Sequence, residues 1–130
     1  MAMEERAGRQ TAAKPLYTTR HGRMFVSKIE DALSTSTFHK LTGKVDLLFT
    51  SPPFPLVSKK RYGNETGEAY LNWLVQLAPM LTNLLSESGS IVIEVGNAWV
   101  TGTPVMSTLS IEALLAFKKG VFCKSSGYFS

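Results

Sequence analysis

The chain has 130 residues, 44% of them hydrophobic and 18% charged, which suits a single soluble domain with a modest core. Fourteen Lys and Arg against ten Asp and Glu give a formal charge of +4, compatible with a phosphate-backbone partner. No apolar run reaches the roughly 20 residues of a membrane span, and the opening residues lack the apolar block of a secretory signal, so a cytoplasmic location is the default expectation. A single cysteine, Cys123, excludes an internal disulfide and offers no metal cluster, so it is read as a small apolar residue.

In chain order, residues 1–14 mix Glu4, Glu5, Arg6 and Arg9 with small residues and read as a loose tail ahead of a domain over 15–130. From Leu16 to Val26 the pattern predicts two short strands around a turn at His21-Gly22. Ile29, Ala32 and Leu33 then recur at helical spacing. Ser27 as cap and Glu30 three residues later predict a helix over 28–36. Ser34 to Thr37 reads as a polar run, and Thr42-Gly43-Lys44 as a turn.

Val45 to Phe49 is apolar apart from Asp46 and predicts a buried strand. It leads into Thr50-Ser51-Pro52-Pro53-Phe54. Each proline fixes φ near −65° and removes a donor, leaving a stiff loop rich in carbonyl acceptors. Ser51 adds a hydroxyl and Phe54 a flat face. These groups suit a flat heterocycle carrying an amino group, held at its edge and stacked on a ring. Residues 55–65, rich in Pro, Lys, Arg, Gly and Asn with no periodicity, read as a long exposed loop. Lys59, Lys60 and Arg61 within it read either as phosphate contacts beside that pocket or as a solvated charge run.

Thr66 caps the clearest helix, whose stripe of Tyr70, Leu71, Leu74, Leu77, Leu81, Leu84 and Leu85 extends to about Ser86. Pro79 forfeits a hydrogen bond, at roughly 3 kcal/mol, and predicts a kink or break. Trp73 is read as a packing aromatic. Ser88-Gly89 ends the helix, and Ser90 to Gly96 predicts a buried parallel strand with Glu94 near its end. Gly102 to Ser107 is a loop. Leu109, Ala113, Leu114 and Phe117 line a last helix closed by Lys118-Lys119-Gly120, with room for one short strand after it. The succession strand, loop, helix, strand predicts an α/β fold, a partial doubly wound parallel sheet. Ligands of such sheets bind outside the carboxyl ends of strands, where Ser51 falls.

Ser51-Pro52-Pro53-Phe54 after a Val-Asp-Leu strand resembles the catalytic motif of the DNA amino-methyltransferases, in the subgroup where that motif comes early in the chain. The resemblance spans roughly Leu16 to Phe117. It implies an incomplete Rossmann-like methyltransferase fold, S-adenosylmethionine as methyl donor and double-stranded DNA as partner. Ser51 and Pro52 would accept the exocyclic amino hydrogens, with Pro53 stiffening the loop and Phe54 stacking on the flipped base. Serine in the first position resembles the N4-cytosine form. Adenine-N6 enzymes more often carry Asp or Asn there. Val26-Ser27 replaces the Gly-Asp pair that such enzymes place near the cofactor adenosine, and the sequence contains no Gly-x-Gly for their Phe-x-Gly-x-Gly turn. The resemblance therefore implies an amino-terminal part of such an enzyme, with cofactor-binding residues unassigned, inactive alone and with a place for a second chain to complete the fold. The alternatives are an adenine-N6-specific DNA methyltransferase, a non-catalytic DNA-binding or regulatory fragment, and a degenerate remnant with no function of its own.

Overall fold

The computed structural model of the chain describes residues 11–53, 67–96, 99, 100, 102 and 104–125. They fall into two compact units, divided between Thr42 and Gly43.

In the first unit, β1 (Tyr17–Thr18) and β2 (Arg23–Met24) pair antiparallel, with Tyr17 opposite Met24. The Thr19 N–H donates to the Gly22 carbonyl at 2.8 Å, so His21-Gly22 forms the expected turn. The next helix is shorter than its periodicity suggested. α1 spans Ile29–Leu33, and no side chain caps it. The Ser27 hydroxyl donates to the Lys28 carbonyl instead of taking a helix N–H. At the other end the Ser34 and Thr35 hydroxyls donate to the carbonyls of Asp31 and Ala32, a local bonding that competes with helix continuation. The supposed polar run then starts a second helical turn, α2 (Ser36–His39). Ala13 donates to the Thr37 hydroxyl and Ser36 to the Thr11 carbonyl, tying the described part of the tail to α2. Phe25 and Phe38 meet edge to face at 5.2 Å between centroids, and the Arg23 guanidinium lies over Phe25.

The second unit begins at Gly43, whose φ of +71° makes the predicted turn before β3 (Val45–Thr50). α3 (Gly67–Thr82) follows, then β4 (Leu85–Ile93) and α4 (Leu109–Ser125). β3 and β4 pair in parallel, which gives the α/β class its observed form. The register runs Leu47 to Ser90, Leu48 to Ile91, Phe49 to Val92 and Thr50 to Ile93, with an irregularity between Val45 and Leu47. There Gly89 lies so close to β3 that an added Cβ would be 2.6 Å from the Val45 carbonyl oxygen. The Ser86 hydroxyl donates to the Asp46 carboxylate at 2.7 Å across the same bend.

Four expectations about this unit are corrected. First, α3 passes through Pro79 without a break but stops at Thr82. The Thr82 hydroxyl and the Asn83 N–H bond the carbonyls of Ala78 and Pro79, closing the last turn. Leu84 is therefore buried beyond the helix, and Leu85 and Ser86 belong to β4. Second, β4 begins at Leu85 and ends at Ile93, leaving Glu94 to Gly96 outside it.

Third, α4 does not close at Gly120. It continues to Ser125, so residues 121–124 form helix where a short strand was expected. Gly120 is buried against α3, where an added Cβ would overlap the Val75 carbonyl and come within 2.8 Å of the Ala78 Cβ. The Val75 carbonyl is the acceptor that Pro79 leaves without its helical donor. This glycine allows two helices to touch rather than ending one. Fourth, β3 is not buried on both faces: Leu47 is 61% and Phe49 66% exposed. The core lies between α3 and α4, built on Tyr70, Leu74, Leu77, Ala78, Leu81, Ala113 and Phe117. Trp73 stacks beside Tyr70 at 5.9 Å, as a packing aromatic.

Candidate functional site

Parallel pairing puts the carboxyl ends of β3 and β4 side by side. The final ladder pair is Thr50 and Ile93, and the Glu94 N–H donates to the Thr50 carbonyl at 2.9 Å, extending the connection one step past β4. That bond fixes where Ser51 leaves the sheet. Ser51 and Pro53 are exposed and Pro52 is buried. The buried ring anchors a loop whose own backbone is already restricted, so the Ser51 hydroxyl is presented from a stiff support. Thr50, which precedes it, is half-buried.

Beside this loop the other strand offers Glu94, exposed, then half-buried Val95 and exposed Gly96. A hydroxyl and a carboxylate thus follow the last paired residues of adjacent strands at one rim. The sequence pattern placed Glu94 at this rim but preferred a backbone-bonding role. Its main chain does bond β3, and its side chain faces solvent. Phe54, Lys59, Lys60 and Arg61 lie outside the described residues, as does the Thr66 cap.

Val26 and Ser27, standing where the resembled enzymes carry Gly-Asp, line a cleft of about 370 Å³ within the first unit, together with Phe25, Asp31 and Thr35. Asp31 is the carboxylate on that cleft. Its place on the first turn of α1, one residue past Glu30, was visible in sequence, but the fold of the tail over it was not. An added Cβ at Gly96, just past β4, or at Gly102 would meet no atom within 4 Å, so neither glycine lies in a closed backbone cradle. Among the described residues there is no glycine-rich strand-to-helix turn, and they do not complete a site for S-adenosylmethionine. Nor do the described residues contain a cluster of three metal-binding side chains or a helix long and apolar enough to cross a membrane.

A clear displacement of acidity among the described residues is found at Tyr70, in the first turn of α3. Burial in the helix interface pushes the Tyr70 phenol above its ordinary value of 10.0. It stays neutral and packs.

With the geometry in place, comparison with known proteins adds two findings. The family model described as DNA methylase matches residues 45–126, which include β3, the Ser51 loop, α3, β4 and α4. The type II methyltransferase M.PvuII of Proteus hauseri is 32% identical over 102 residues. That match covers 78% of this chain but 29% of the relative, so the chain spans less than a third of the length of the protein it resembles. No solved structure matches at a significant level. The family model covers a strand followed by Ser-Pro-Pro, then a helix and a second strand parallel to the first, and on this match the chain belongs to the N6/N4 DNA methylase family.

Proposed function

We propose that the chain is the catalytic-loop part of a DNA methyltransferase that modifies the N4 amino group of cytosine, and that it does not transfer methyl groups by itself. The observation that carries this is the placement of Ser51: an exposed hydroxyl, at the carboxyl end of a parallel strand, on a loop anchored by a buried proline.

An exocyclic amine is a poor nucleophile because its lone pair is shared with the ring. Acceptors that bond its hydrogens localise that pair and favour the positive charge that grows on nitrogen as a fourth bond forms. The Ser51 hydroxyl and the Pro52 carbonyl fill those positions. Proline supplies the carbonyl without a competing N–H, and the rigid loop holds the two acceptors at fixed separation, so little reorganisation is needed at the moment of reaction. The base must leave the duplex to reach them, and Phe54 stacks on it there. Lys59, Lys60 and Arg61 contact the phosphates on either side.

S-adenosylmethionine supplies the electrophilic methyl group in this family. The described residues leave its site incomplete, and this supports inactivity of the isolated chain. Serine in the first motif position supports cytosine over adenine.

The test is methyl transfer to duplex DNA with labelled donor, followed by analysis of the modified nucleoside. The 130-residue chain alone is expected to give none, and a chain completed by the missing part of the domain to give N4-methylcytosine. N6-methyladenine as the product would overturn the choice of base. Transfer by the isolated chain would overturn its inactivity, and transfer undiminished in a completed Ser51→Ala variant would overturn the role of the loop.

A further inference from the structure

The net positive charge of this chain is concentrated ahead of β3. Residues 14–40 carry Lys14, Arg20, Arg23, Lys28 and Lys40 against Glu30 and Asp31, a surplus of three within the chain's formal +4. Both carboxylates fall on α1. From Lys14 to Lys28 there are four cations and no carboxylate.

The fold gathers that run into a ribbon. β1 and β2 pair antiparallel, and the Leu16 N–H donates to the Met24 carbonyl at 2.7 Å at the base. At the tip the N–H and the hydroxyl of Thr19 both donate to the Gly22 carbonyl, at 2.8 and 3.2 Å, so Arg20 and His21 lie in a closed turn between the strands. Every residue from Leu16 to Met24 is exposed. A ribbon bare on both faces adds little to a core, and projecting segments of this kind are where binding concentrates.

Arg23 pairs with Thr18 in register, and its guanidinium lies 6.0 Å from the centroid of the Phe25 ring. Phe25 packs in turn on Phe38. Stacking on a ring restricts a long side chain before any partner arrives, so less freedom is lost when its N–H groups bond an anion. Guanidinium groups match phosphate oxygens, which accept parallel N–H bonds, and a duplex backbone offers such oxygens in rows. We propose that the β1–β2 ribbon is a contact for the backbone of double-stranded DNA, with Arg20 and Arg23 on phosphates and the His21 ring beside them. This rests on reading the chain as part of a DNA methyltransferase. The ribbon precedes residues 45–126, which the family model matches, so the contact is separate from the Ser51 loop and from Lys59, Lys60 and Arg61.

The experiment follows the fluorescence anisotropy of a labelled duplex with the full 130-residue chain over a range of salt concentrations. Arg20→Gln and Arg23→Gln should each lower the slope of log binding constant against log salt by about 0.9. Lys40→Gln, the same charge change on an exposed residue at the end of α2, should lower it by much less. Arg20→Lys keeps the charge and should keep the slope. Phenylglyoxal, which modifies arginine, gives a readout on the unsubstituted chain: duplex should protect Arg20 and Arg23 severalfold, as measured by mass spectrometry of the peptides.

Absence of duplex binding at low salt overturns the proposal. So do slopes unchanged in both glutamine variants, or an equal loss in Lys40→Gln, which marks diffuse attraction. Where a variant fails to fold, phenylglyoxal labelling undiminished by duplex overturns it instead. Protection of both arginines in a completed chain before DNA is added shows the ribbon covered by protein, and tighter binding of single-stranded RNA than of duplex shows a different polymer; either result overturns it as well. Methyl transfer by the completed chain is assayed separately. Slope changes without transfer leave the ribbon standing and remove the catalytic reading, whereas unchanged slopes with N4-methylcytosine formed remove the ribbon alone.

Discussion

Replacing Gly120 by Ala probes the helix packing that supports the rim. In an exposed helix interior the change stabilises by about 1 kcal/mol, since alanine has the higher propensity. Here the new methyl group overlaps the Val75 carbonyl and lies 2.8 Å from the Ala78 Cβ and 3.0 Å from the Val75 carbonyl carbon. None of these atoms can turn away by changing rotamer, and Ala78 is fully buried. Ordinary separation between carbon atoms is about 4 Å, so α4 must move outward by roughly 1 Å at this point. Overpacking of this kind costs about 2–3 kcal/mol, and subtracting the propensity gain leaves a net loss of about 1–2 kcal/mol. Urea unfolding followed by circular dichroism at about 222 nm should show the midpoint lowered by about 0.5–1 M with an unchanged slope. Gly67→Ala is the matched control. Its added Cβ would meet only the Leu109 Cδ1, at 3.8 Å, so its midpoint should hold or rise. A Gly120→Ala midpoint equal to or above that of the unsubstituted chain would refute the close approach of the helices at this glycine.

Three further outcomes are expected. In a completed enzyme, Ser51→Ala should lower transfer by about a hundredfold or more through loss of one acceptor in the transition state, while duplex binding, measured by fluorescence anisotropy, changes little. Neutralising Lys59, Lys60 and Arg61 should flatten the slope of log binding constant against log salt by about 0.9 for each phosphate left without its cation, and an unchanged slope would mean the loop does not touch the backbone. Tyr70 has its acidity lowered by burial, so the folded state disfavours the phenolate. Its contribution is fully present below pH 10.0 and declines as pH rises through the higher folded value. Tyr70→Phe should remove that part of the alkaline loss, seen as a shallower fall in stability above about pH 10; an identical fall in both proteins would count against it.

The sequence alone was enough to identify the α/β class, the strand before Ser51 and the helix carrying Tyr70, Leu74 and Leu77, and it singled out the Ser-Pro-Pro loop as the proposed chemical centre. Those features are local: a strand shows in a run of apolar residues, a helix in three and four residue steps, and a loop in its prolines. Helix ends were less legible, because Ser34, Thr35 and Thr82 stop or close their helices by bonding backbone carbonyls, and Gly120, a residue that usually signals a stop, lies in the middle of α4. Its meaning is set by the Val75 carbonyl, on another helix far back in the chain, which no local pattern can encode. Burial of β3 was likewise a tertiary matter. Alternation and apolar content say that a strand wants cover, but whether Phe49 receives it depends on which other elements are present, and in this chain one face of the sheet remains open.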